Sequence, residues 1–174
     1  MMHYRFSAIV LLFLLASCGG NNQKINQTDT TLDVSATTSG QLDINPLSGY
    51  FVKNTIQVTD SLTFWIVDNQ QAFDSLFGVA KTMNNTITQP DFGTQVVVAA
   101  TMPPSWYNTR IELAAATLDD ATNNATMRFA TASDANKSSS SITPLWLGTV
   151  PKNGKQTFNF YNGDKLATSI TTIQ

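Results

Sequence analysis

The sequence predicts an α+β domain that is mainly antiparallel β, a sheet or open barrel with one amphipathic helix packed on a face. Three observations carry that expectation. Val96-Val97-Val98-Ala99-Ala100 is an unbroken apolar run of strand length and β-branched character, which suits the inside of a sheet covered on both faces. Residues 110–118 and 126–131 alternate apolar with polar positions around the turn cluster Asp119-Asp120-Ala121-Thr122-Asn123-Asn124, the pattern of a hairpin. Phe73, Leu76, Phe77 and Ala80 fall at i, i+3, i+4 and i+7 behind Asp68, a good N-cap with Gln71 three residues on.

The remaining elements follow in order. Residues 50–58 have strand composition, with Ile56 and Val58 alternating against Thr55, Gln57 and Thr59. Leu62, Phe64 and Ile66 alternate with Thr63, Trp65 and Val67, so this strand is apolar on both faces and should be central or covered by the helix. Gly78 weakens the last helical turn by roughly 1 kcal/mol relative to alanine. In the hairpin, Ile111, Leu113 and Ala115 share one face, and Met127 and Phe129 face them from the returning strand. Leu145 to Val150 reads as a strand entered through Pro144. Asn153-Gly154 and Asn162-Gly163 each supply what a tight type I′ turn demands, so the last three strands are expected to form a meander.

Ahead of the domain, residues 1–5 carry one firm positive charge and residues 6–15 are apolar but too few to span a bilayer, which makes residues 1–17 a signal peptide. Leu14-Leu15-Ala16-Ser17-Cys18 resembles the lipobox of bacterial lipoproteins. That resemblance implies acylation of Cys18, which becomes the first mature residue. Gly19, where an aspartate would favour the inner membrane, implies attachment to the outer membrane, with the periplasmic or surface face left open. Residues 18–45 are rich in Gly, Asn, Gln, Thr, Ser and Asp and read as a flexible, lipidated tether with a root-mean-square span of roughly 30 Å. A single globular domain is then expected over residues 46–174.

The chemistry left to the mature chain is narrow. His3 is the only histidine and leaves with the leader, and Cys18, the only cysteine, would carry lipid on its sulfur. No Ser-His-Asp or Cys-His pair, disulfide framework or Cys/His zinc site can be assembled from what remains. Glu112 with Asp119 and Asp120 lacks the D-x-D-x-D-G spacing of a calcium loop and reads as a solvated strand face and a turn. The expectation is therefore a non-enzyme with no cofactor and no metal. A net charge of −2 with no basic patch gives no sign of a nucleic-acid partner.

The order of features from Phe64 to Lys152 resembles the C-terminal domain of PrcB-like proteins, accessory subunits of a secreted bacterial protease complex. The likeness is carried by a strand and amphipathic helix, then Pro90-Asp91-Phe92, then the apolar strand at Val96 to Ala100. Thr143-Pro144-Leu145-Trp146-Leu147 and Val150-Pro151-Lys152 complete it. It covers roughly half the chain. Where that family has a glycine-rich loop after the inner strand, this chain has Pro103-Pro104-Ser105-Trp106-Tyr107. The resemblance implies an accessory, protein-binding role, with a protease as a possible partner.

The candidate binding surface is read from the residues of this loop and not from the resemblance. Pro103 and Pro104 stiffen a backbone that presents Trp106 and Tyr107, and rigid aromatics anchor interfaces at low entropic cost. The alternative for these rings is a core lid over the sheet. Trp65 and Trp146 lie in strand patterns and are expected in the core. The function expected is thus a non-catalytic outer-membrane lipoprotein that binds a protein partner through Pro103, Pro104, Trp106 and Tyr107. The alternative is a glycan-binding or structural envelope lipoprotein.

Overall fold

The computed structural model describes residues 39–80 and 86–172. The leader, Cys18 and the tether up to residue 38 lie outside the described residues. The domain is α+β and mainly antiparallel with one short helix, as expected, and its strands form open sheets of five, four and two strands, the two larger ones stacked face to face.

The innermost strand is the apolar run. Strand β6 (Gln95–Thr101) pairs on one side with β4 (Thr63–Val67) and on the other with β9 (Leu145–Pro151), and β2 (Asn45–Leu47) extends the sheet beyond β9, giving the order β2-β9-β6-β4. Val96 to Ala100 are fully buried, since both faces of β6 are covered. On one face Val96, Val98 and Ala100 pack with Phe64 and Val150 against Ile111, Met127, Phe129, Phe158 and Phe160 of a second sheet. On the other face Val97 and Ala99, with Val67 and Leu147, meet Val52, Phe73 and Phe77. Each fully buried valine contributes about 1.5–3 kcal/mol, and the strand takes part in the core on both of its faces.

The second sheet has the order β1-β7-β8-β10-β11: β1 (Ser39–Gln41), β7 (Arg110–Asp119), β8 (Asn124–Ala132), β10 (Gln156–Asn162) and β11 (Lys165–Thr172). The hairpin β7–β8 forms as the alternation predicts, with Asp119 opposite Asn124. The Asp119 carboxylate closes its turn by accepting from the Ala121 N–H at 3.0 Å and the Thr122 hydroxyl at 2.7 Å. A bulge between Leu113 and Ala115 reverses the phase of β7. Ile111 and Leu113 face the core as expected, but beyond the bulge it is Ala116 and Leu118 that do, and Ala115 is exposed.

The expected meander is not what the chain makes. β10 and β11 form a hairpin, but β9 and β10 belong to different sheets, and β10 lies parallel to β8. Asn153-Gly154 thus carries the polypeptide from one sheet to the other. At the true hairpin the central residues are Gly163 and Asp164, with positive φ at Gly163 alone, so the turn sits one residue later than the Asn162-Gly163 pairing predicts and follows the type II′ sign pattern.

Two further boundaries move. Ser39 to Gln41, within the expected tether, pairs with β7, and Leu42 is 4% exposed in the core, so the folded domain starts before residue 46. The strand expected over residues 50–58 is only β3 (Tyr50–Val52), with Ile56 and Val58 packing from a loop instead.

Helix α1 (Gln70–Leu76) covers the outer face of the four-stranded sheet through Phe73, which is 1% exposed. Asn69, not Asp68, is its N-cap, accepting from the Ala72 N–H at 2.8 Å. Asn and Asp cap equally well, so adjacent capping residues leave the start uncertain by one position. The helix stops before Phe77, which turns into β5 (Phe77–Val79) and pairs with β3. Gly78 sits there because the Phe51 ring lies across it where a Cβ would be, so the glycine serves a strand pair rather than a helix end.

Candidate functional site

β6 delivers the backbone to the proline loop at one end of the molecule. Thr101 is buried and its hydroxyl donates to the Pro144 carbonyl at 2.8 Å, which ties the exit of β6 to the entrance of β9. From there residues 102–109 run beside residues 133–144, the serine-rich segment between β8 and β9. Ser105 and Ile142 form an isolated antiparallel bridge with amide-to-carbonyl distances of 2.9 and 3.0 Å. The Ser138 N–H donates to the Trp106 carbonyl at 2.6 Å and the Asp134 N–H to the Tyr107 carbonyl at 2.9 Å.

Polar side groups complete the brace. The Thr109 hydroxyl donates to Ser105 Oγ at 2.7 Å and lies 2.8 Å from Ser133 Oγ. The Tyr107 N–H donates to Ser105 Oγ at 3.1 Å. Asn108 has a φ of +45°, a left-handed conformation that asparagine tolerates better than most residues, and its amide donates to the Asp134 carboxylate at 2.7 Å. The Arg110–Asp134 pair at 3.9 Å is too exposed to add much.

Because the polar groups of this loop pair bond to each other, its aromatic groups are left outside. Trp106 is 44% exposed and Tyr107 48%. The core-lid arrangement is therefore not the one adopted. Lys137 places its Nζ 4.9 Å from the Trp106 ring centroid and steadies that ring. Pro103 is half-buried and Pro104 exposed, at the base of the loop. The sequence singles out these four residues but not the loop that supports them. Its one legible signal was Ile142, an apolar residue closing a run of serines, which is 60% exposed.

The other singled-out residues have structural roles. Trp146 packs edge-on to Phe129 between the sheets and Trp65 edge-on to Phe77 under the helix layer, both partly buried. Glu112 is exposed on β7, seven residues from Asp119, roughly 20 Å along a strand and beyond the carboxylate separations of glycoside hydrolysis. Among the described residues no group of three His, Cys, Asp or Glu side chains converges as metal ligands.

Asp91 and Tyr50 are displaced from their ordinary pKa values, and neither belongs to the loop pair. The Thr94 hydroxyl, then the Gly93 N–H, hold the Asp91 carboxyl below the usual range, in a turn that feeds the opposite end of β6. Burial, then the Asp74 charge, pushes the Tyr50 phenol up. Pro90-Asp91-Phe92 and Val150-Pro151-Lys152 meet there, the Lys152 N–H donating to the Thr94 carbonyl at 2.9 Å and Phe92 packing on Phe73. A groove of about 510 Å³ between residues 41–46 and the β7 bulge has Asp43 as its one charged lining group.

No family model, curated protein or solved structure matches this sequence.

Proposed function

We propose that the protein is a non-catalytic lipoprotein of the bacterial outer membrane, tethered through Cys18, whose folded domain binds a protein partner through the loop pair. The observation that carries this reading is the exposure of Trp106 and Tyr107 on a loop whose backbone is already bonded to a second loop. Little conformational freedom is left to lose on docking, and aromatic groups so held are the usual energetic centres of protein interfaces. Exposed Ile142 adds apolar surface beside a mixed-charge rim of Arg110, Asp134 and Lys137, which favours a protein over a carbohydrate. The resemblance to PrcB-like accessory domains makes a protease the first partner to try.

Crosslinking the full-length protein in its native envelope, with identification of partners by mass spectrometry, tests the proposal. A partner captured by the native protein and lost with Trp106→Ala/Tyr107→Ala supports it. Capture that is indifferent to the double substitution, or recovery of glycan instead of protein, overturns it. Fatty-acid labelling that disappears in Cys18→Ala tests the tether.

A further inference from the structure

We infer that Asn153 is a site of spontaneous covalent modification, converting to aspartate and isoaspartate through a cyclic imide, and that Asn162, in the same Asn-Gly context, is protected. In this reaction the backbone nitrogen of the following glycine gives up its proton to a solvent base and attacks the asparagine Cγ. The bond from Cγ to the amide nitrogen Nδ2 breaks and ammonia leaves. Water then opens the imide at either carbonyl, giving aspartate or its backbone-extended isomer.

The two sites differ in the availability of that nitrogen. Gly163 N–H donates to the Phe129 carbonyl at 2.8 Å, and Asn162 is paired with Lys165 in the β10–β11 ladder. Attack there requires the hairpin to open. Asn153 and Gly154 are exposed in the crossover between sheets, outside any ladder, and among the described residues the Gly154 N–H has no hydrogen-bond acceptor. Nothing lies within 4 Å of where a Cβ would be at either Gly154 or Gly163, so solvent reaches both turns and it is the bonding of the glycine nitrogen that separates them.

The modification would reach beyond the loop. The Asn123 amide group, from the β7–β8 turn, donates to the Asn153 carbonyl at 2.7 Å and to the Lys155 carbonyl at 2.9 Å, clamping the crossover to the hairpin. Isoaspartate adds a backbone atom at residue 153 and displaces one of those two carbonyls. Aspartate adds only charge, beside Lys152 and Lys155.

The test is to age the full-length protein at mildly alkaline pH, native and in urea, and follow both sites by peptide mapping with an isoaspartate-specific methyltransferase as reporter. Native protein should convert Asn153 several-fold faster than Asn162, faster still as pH rises, while urea should bring the two rates together. Asn153→Gln should abolish the fast conversion. The aged isoaspartate form should melt at lower temperature, and Asn153→Asp should not. Equal rates at the two sites in the native protein, or an unmodified Asn153 while the urea sample converts, would overturn the inference.

Discussion

Strand β6 and the loop that leaves it are consecutive in the sequence and opposite in what holds them. Val96 to Ala100 have no accessible surface and are fixed by apolar packing on both faces, whereas residues 102–109 are fixed almost wholly by hydrogen bonds to the loop at residues 133–144. Thr101 marks the change, with a buried hydroxyl bonded to the Pro144 carbonyl. The contrast teaches that a rigid loop does not need a core of its own: when the backbone and the small polar groups satisfy each other, large aromatic groups are released to face a partner. It also separates the residues whose loss should unfold the domain from those whose loss should only blunt its surface.

The largest effect is expected where the two sheets meet. Phe129 is fully buried and lies 5.3 Å from the Phe64 ring, 5.1 Å from Trp146 and 6.4 Å from Phe160. Phe129→Ala removes the piece that three strands share and should cost about 3–5 kcal/mol, read by urea unfolding of the purified protein. A loss below about 1 kcal/mol would mean that the sheets do not depend on this junction.

Next comes the clamp at the far end. Asn123→Asp keeps the shape of the residue but turns a donor to two carbonyls into an acceptor facing them. The exposed position lets water relieve part of the conflict, so a loss of about 1–2 kcal/mol is expected, measured by the same denaturation. An unchanged midpoint would show that the Thr157 N–H to Asn123 carbonyl bond at 3.2 Å is enough to hold the crossover to the turn.

What was legible in the sequence follows the same division. β6, the β7–β8 hairpin and the helix face were legible because each is written in a local period, apolar throughout, alternating, or spaced by three and four. The parallel pairing of β8 with β10 was not, since it joins segments about thirty residues apart and no local period records it. Asn153-Gly154 reads the same whether it reverses a strand or hands it to another sheet. The bulge at Ala114 was hidden because Ala114, Ala115 and Ala116 are identical residues, so a shift of phase leaves no mark on the pattern. β1 lay unseen because a three-residue strand inside a polar segment carries too few apolar positions to count. At the candidate site the stiff aromatic loop was visible, but its exposure was decided by hydrogen bonds to a serine-rich segment with no pattern of its own.

A smaller effect, of opposite sign, is expected at Gln156. It shares the inward face of β10 with Phe158 and Phe160 and is fully buried, and neither its amide nitrogen nor its amide oxygen has a partner among the described residues. Gln156→Met keeps the length and flexibility of the residue and removes the unpaired groups, so the domain should gain about 1 kcal/mol. A destabilised Gln156→Met would show that the amide is bonded after all, and that a polar group inside the sandwich can be as well satisfied as those in the loops.

The smallest effect on stability is expected from the residues proposed to matter most for binding. Trp106 and Tyr107 leave almost half their surface to solvent, and the loop that carries them is held by main-chain carbonyls and by Ser105, Thr109 and Asn108, none of which the truncations touch. The one ring interaction removed is that of Lys137 over Trp106, about 0.5–1 kcal/mol at an exposed site. Trp106→Ala/Tyr107→Ala should therefore shift the thermal midpoint by no more than a few degrees. Capture of the partner should fall far more steeply, since two interface anchors of ordinary size are worth about 2 kcal/mol each. A double variant that melts as low as Phe129→Ala would make the rings part of the scaffold and remove the proposed binding surface. One that keeps both its midpoint and its partner would leave the loop intact and move the interface elsewhere on the domain.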